Sequence, residues 1–257
     1  MGFAYSIAHA QTKTVGSESR PTHILPTLST KVPPHHPIPS PMHDRSTWSN
    51  RLLAVAQQTL GSAPAHPQPG NFVDDMGNRL PIDEPFFATL ANRAPLLDTH
   101  RSLGTDEHLW LHAGGFGHLA PPLAQLLGPM PTTAHPLLTQ TPGQEMAIEV
   151  YTERLLCALH ALWRLGRVTG NPEYPRRCAQ SCAWIVENLQ PDNATNYPWG
   201  VHVMLATSPQ VGQDARLYAE TLLHNCQVIL GRADRRSAWI LLDAGQELAL
   251  PDSQQGQ

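Results

Sequence analysis

The chain has 257 residues, 41% of them apolar and 15% charged, with a formal net charge of −4 and an isoelectric point near 6.4. That is enough chain for one generous domain or two small ones without metal or disulfide staples, in the composition range of ordinary soluble proteins. Fifteen arginines and two lysines are scattered rather than gathered into the basic stripe that nucleic acid requires, and no run approaches the ~18 apolar residues of a membrane-spanning helix.

The opening segment Met1 to Ala10 ends in Ala8-His9-Ala10, a small-x-small pattern like a signal-peptidase site, but it lacks a positive start and a full apolar core. The seven prolines between Pro21 and Met42 prevent a helix or sheet ladder from persisting, so residues 1–43 read as a disordered or extended leader. No spaced PxxP core with flanking arginines marks it as a polyproline ligand.

Residues 44–143 read as a loop-rich helical segment. Asp44 or Ser46 can cap a first helix, in which Trp48, Leu52, Val55, Ala56 and Leu60 recur at helical spacing before Gly61 stops it. Ala63 to Gly77 is loop-like, with Pro64, Pro67, Pro69 and Gly70. Asp83 then caps a short helix carrying Phe86, Phe87 and Leu90 and ending before Pro95, and Leu119 to Leu127 forms another, stopped by Gly128-Pro129. Between them the pattern Glu107-His-Leu-Trp-Leu-His112 alternates, as an extended segment would, placing His108, Trp110 and His112 on one face. Asp74-Asp75 and Asp83-Glu84 serve as turns and caps.

Residues 144–257 have the strongest periodicity. Ile148, Tyr151, Leu155, Leu159 and Leu162 line one helix, with Val150, Leu156 and Trp163 as a second apolar flank, until Gly166 and Gly170 break the pattern. Asn171 caps the next helix, Pro172 and Pro175 fall in its first turn, and Tyr174, Cys178, Cys182, Ile185 and Leu189 make its buried stripe. After the loop Gln190 to Trp199, a second hairpin pairs a helix carrying Ala215, Tyr218, Leu222, Cys226 and Ile229 with one carrying Ala238, Trp239, Leu242, Gly245 and Leu248. Tyr151-Thr-Glu153-Arg-Leu155-Leu156 echoes Tyr218-Ala-Glu220-Thr-Leu222-Leu223 at an offset of 67 residues, and Gly166-Arg167 echoes Gly231-Arg232. The fold class expected is therefore all-α, a stack of antiparallel α/α hairpins, with 44–257 as one domain.

Leu165, Arg167, Thr169, Gly170, Asn171, Pro172 and Tyr174 supply a turn that, within Leu155 to Asp192, resembles the hairpin unit of α/α-toroid proteins. That architecture is shared by terpenoid cyclases and many glycan-active lyases, hydrolases and epimerases. Tyr197, Pro198 and Trp199 match the aromatic loop that follows such a unit. The resemblance implies stacked helical hairpins and transfers no catalytic residue: the aspartate-rich motif of the cyclases is missing. A complete ring needs about twelve helices of roughly 11 to 14 residues; the seven read from this sequence make a partial ring.

Chemistry concentrates in two places. His112 and His118 flank a flexible Gly-Gly-Phe-Gly segment, and with Asp106 or Glu107 they could supply acid and base groups near neutral pH or reach a divalent cation. Glu145, Glu149 and Glu153 recur every four residues, Glu220 and His224 stand at i, i+4, and the repeat duplicates Glu153 as Glu220. The catalytic candidates are accordingly His112, His118, Glu153 and Glu220, with Trp110, Trp163, Tyr197 and Trp199 as rings that could stack on a sugar. No metal is assigned: Cys178 and Cys182, with Cys157 and His160, lack the spacing of a zinc knuckle. Together with Cys226 these cysteines read as reduced, buried thiols, which favours a cytoplasmic over a secreted location. Asn193-Ala-Thr195 is a formal glycosylation acceptor. No motif names a cofactor. Two functions fit: a carbohydrate-active enzyme of α/α-hairpin architecture, acting on a glycan or another small molecule, or a helical-repeat scaffold that binds a protein or peptide.

Overall fold

Apolar residues at helical spacing have to be covered, and in the computed structural model of this protein they are covered by other helices. It describes residues 41–61, 84–97, 100–139, 146–191 and 196–251, with side chains from Asp44 onward. Residues 1–40 of the leader, the Ala63 to Gly77 loop, Asp83, Glu145 and Asn193 lie outside these, while residues 41–43, read as part of the leader, begin the first helix. All the regular structure among the described residues is helical: α1 (Pro41–Leu60), α2 (Glu84–Leu90), α3 (Thr105–Ala113), α4 (Leu123–Leu127), α5 (Ile148–Thr169), α6 (Glu173–Asn188), α7 (Val201–Val211), α8 (Gln213–Val228) and α9 (Arg235–Ala249). None of these helices is long and apolar enough to cross a membrane.

Helix α5 is the axis of the core. Leu155, Leu156, Ala158, Leu159, Ala161 and Leu162 are wholly buried because α3, α6 and α7 cover it on different sides. The helix runs through Gly166, where a stop was expected, and ends at Gly170, whose φ of 69° is the left-handed conformation that closes a helix. Gly166 has another use: a Cβ there would stand 3.0 Å from Pro175 Cδ, so its missing side chain lets α6 pack close. Asn171 accepts a hydrogen bond from the Glu173 amide at 3.0 Å, which starts α6 as the sequence indicated.

Helix α7 is where the sequence misled. Val201, His202, Val203, Met204 and Leu205 are buried without a polar face, so the segment carries no amphipathic stripe to announce a helix. It lies in the middle of the domain, packed against α5, α6, α8 and α9. The pairing expected of α8 with α9 changes as a result. Helix α8 takes α7 and α6 as its main neighbours, while α9 packs chiefly along α1, so the first helix of the domain meets the last. Ser49 Oγ donates to the Gly245 carbonyl at 2.7 Å, and a Cβ on Gly245 would meet Leu53 at 2.8 Å. The echoed Tyr151, Leu155 and Leu156 and Tyr218, Leu222 and Leu223 are all buried in helices, but the second echo differs: Gly166 sits inside α5, whereas Gly231, with φ 67°, is a turn after α8.

The stretch read as alternating and extended is helix α3. Its nine residues are too few for periodicity to separate the two patterns. Glu107 settles the start by accepting the Gly104 amide at 2.9 Å, and Leu109, Trp110, Leu111 and Ala113 are all buried.

Candidate functional site

Because α3 packs across α5, its first turn faces the start of α5, and α2, the Trp199 segment and the start of α9 close the remaining sides. They enclose a cavity of about 560 Å³, within the range usual for small-molecule sites. Phe86, Trp110 and Trp199 form its floor, with ring centroids 4.8 Å apart for Phe86–Trp110 and 4.9 Å for Phe86–Trp199, both edge-on. Trp110 Nε1 donates to Cys157 Sγ at 3.3 Å.

Three arginine–carboxylate pairs make the wall. Arg154 donates Nε and Nη2 to Asp106 Oδ1 at 3.1 and 2.8 Å, Arg101 grips Glu107, and Arg236 donates Nη2 to Glu153 at 3.1 Å. The Arg236 guanidinium also lies 3.8 Å over the Tyr197 ring, a cation–π contact that keeps it beside Glu153. Burial pushes the Asp106 carboxyl up against the opposing pull of Arg154, and it pushes Glu153 up against the pull of Arg236, with the Asp106 charge adding to the rise. Two carboxyls in one cavity that both favour a proton more than free carboxylates do are suited to proton transfer.

Behind the floor lies a second polar cluster. His160, packed on Trp110 and Trp199 at 5.3 and 5.5 Å, is fully buried; its Nε2 lies 3.0 Å from Asp243 Oδ2, and its Nδ1 accepts the Gly200 amide at 3.5 Å. Those partners select the neutral tautomer with the proton on Nε2, in line with a pKa lowered by burial. Arg164 bridges Asp243 and Glu247. The His202 ring meets His160 edge-on at 4.2 Å, has no hydrogen-bond partner at either nitrogen among the described residues, and is held neutral by burial. Burial and the Asp243 charge lift Glu247 from 4.5 to about 7. A raised folded pKa gives stability that is full below 4.5 and lost as pH rises through about 7. Glu247→Gln should therefore gain on the wild type across that window, by on the order of 3 kcal/mol at its upper end. Urea midpoints measured from pH 4 to 8 test it, and parallel curves would reject the assignment.

Of the residues singled out in the sequence, the cavity brings together Glu153, Asp106, Glu107, Trp110 and Trp199, with Tyr197 beneath Arg236. It does not gather the others. His112 turns away to place Nε2 2.9 Å from the Pro121 carbonyl, with its ring against Gly117, and His118 is exposed on a 3-10 turn at Gly117–Leu119. Glu220 pairs with Arg216 at 3.7 Å on the outside of α8, and Trp163 is a core residue beside His202. Trp110 and Trp199 are 1% and 0% exposed, so they shape the floor without offering a face for stacking. Among the described residues no group of His, Cys, Asp or Glu is arranged to hold a metal ion. Arg101, Arg154 and Arg236 were missed; lone arginines in three separated segments carry no motif. No protein-family model, no curated protein and no solved structure matches this chain.

Proposed function

We propose that the protein is an enzyme acting on a small carbohydrate-type substrate held in this cavity, with Glu153 and Asp106 as the acid and base groups. The observation that carries the reading is the meeting of these two carboxyls, each with a raised pKa, in one cavity of about 560 Å³. Such pairs serve glycosidic and sugar-epimerising chemistry, where one group gives a proton as the other takes one. Arginine–carboxylate walls also suit hydroxyl groups, since each pair presents donors and acceptors side by side. The resemblance of the α5–α6 turn to glycan-active hairpins lends support, because α5 carries both Glu153 and Arg154. A protein-binding scaffold would instead offer a long apolar groove. The exposed apolar side chains Val228, Ile229 and Leu230 at the end of α8 make only a short cluster.

The test is thermal unfolding with a panel of mono- and oligosaccharides, alongside assays for released or epimerised sugar. A bound sugar raises the midpoint by mass action, and Glu153→Gln should abolish turnover while leaving the protein folded. His118→Ala and Glu220→Gln should stay within about 0.5 kcal/mol of wild-type stability and keep the full ligand shift. If no sugar shifts the midpoint and none is turned over, the reading fails.

A further inference from the structure

Asp106 and Glu107 are successive residues in the first turn of α3, and each fixes one arginine of the cavity wall. The carboxylates are the hidden members, with side chains 11% and 8% exposed; their arginines, Arg154 and Arg101, are the accessible ones at 34% and 31%. In the third pair the order reverses, since Arg236 is 6% and Glu153 27% exposed. A ligand entering the cavity therefore meets two guanidiniums and the Glu153 carboxyl first, with Asp106 lining the cavity beside Arg154, although the wall as a whole is balanced in charge.

Neither accessible guanidinium is used up by its carboxylate. Arg154 spends Nε and Nη2 on Asp106, while among the described residues its Nη1 meets the weak acceptor Met146 Sδ at 3.7 Å. Gly104 makes this placement possible: a Cβ there would stand 1.4 Å from Arg154 Nη2 and 2.6 Å from Asp106 Oδ1. The same glycine's amide anchors Glu107, the partner of Arg101, so both arginines are organised around one backbone position. Guanidiniums held by buried carboxylates have little freedom left to lose when an anion binds.

We propose that the cavity takes an anionic sugar, its phosphate or carboxylate group held by Arg101 and Arg154 and its hydroxyls meeting Glu153. This inference rests on the sugar-site reading and names the substrate class. Calorimetric titration of the full chain at low salt and pH 7 with glucose, glucose 6-phosphate, glucuronate, inorganic phosphate and citrate tests it. Glucose 6-phosphate or glucuronate should bind about tenfold or more tightly than glucose, as expected for an added charge-assisted contact, and added salt should weaken that preference. Whichever anionic sugar binds tighter identifies the phosphate or the carboxylate as the group recognised.

Arg101→Gln removes one cation, and Gly104→Ala displaces Arg154 from Asp106 while leaving every charge in the chain; glucose binding retained in each variant shows that the cavity is intact and that the loss is of anion recognition. Each should cut the preference for the anionic sugar about tenfold. Glucose binding as tightly as its anionic relatives, or a preference that survives both substitutions, overturns the anion inference and leaves the sugar reading standing. Citrate or phosphate binding as tightly as the sugar anions, with the same dependence on Arg101 and Gly104, keeps the anion site and overturns the sugar reading. No binding by any of the five overturns both.

Discussion

Replacing Asp243 with alanine is expected to cost about 3 kcal/mol of folding stability, among the larger effects a single substitution produces. The carboxylate is 1% exposed and takes His160 on one oxygen and Arg164 on the other. Its removal leaves a wholly buried imidazole without its acceptor and a guanidinium, 23% exposed, drawn back toward water. Asp243→Asn keeps the shape and an acceptor and should cost less. The pH dependence gives a second check. Burial acts to raise the Asp243 pKa, but the His160 hydrogen bond and the Arg164 charge together outweigh it and hold it below 3.8. A lowered folded pKa means the contribution is present above 3.8 and lost as pH falls through the folded value. Wild type and Asp243→Ala should therefore converge in acid. Urea unfolding gives the answer directly: a loss under about 1 kcal/mol at neutral pH would mean that His160 and Arg164 find other partners once the carboxylate has gone.

Trp199→Ala should destabilise by about 3–5 kcal/mol, the usual range for deleting a buried tryptophan. Trp199 is 0% exposed and is the partition between the cavity and the His160 cluster, touching Phe86 on one side and His160 on the other. Truncation would join the two spaces and admit water to a histidine that is now dry. Two effects should appear together in the variant: a lower urea midpoint and a His160 that takes up a proton at higher pH than in the wild type, read by NMR titration of the imidazole. Trp199→Phe keeps an aromatic partition and should lose less of both. A variant that lost stability with the His160 titration unmoved would show that some other group seals the cluster.

The helices that carry a one-sided apolar stripe were legible, because burial on one face leaves a period that sequence records. Trp48, Leu52 and Val55 predicted α1, Tyr151 through Leu162 predicted α5, and Cys178, Cys182 and Ile185 predicted α6, each close to its observed place. Helix α7 was not legible, because a helix surrounded by others has no polar face to set the period. Helix α3 was read as extended because a nine-residue element contains too few turns to choose between alternation and helix.

What the sequence determined by itself was local: the all-α class, several helix ends such as those at Gly61, Asn171 and Asp234, and Glu153 as a carboxylate worth testing. What only the tertiary structure decided was company. The pairing of α1 with α9, and of α8 with α7 rather than α9, sets side chains far apart in sequence against one another. Arg236 reaches Glu153 across 83 residues, and Arg154 reaches Asp106 across 48. An ion pair between distant segments leaves no spacing in the chain, because its energy depends on distance in the fold and not on separation in sequence. For the same reason the echo that made Glu220 look like a second Glu153 misled: similar helical neighbours accompany one carboxyl in the cavity and another on the outside of α8.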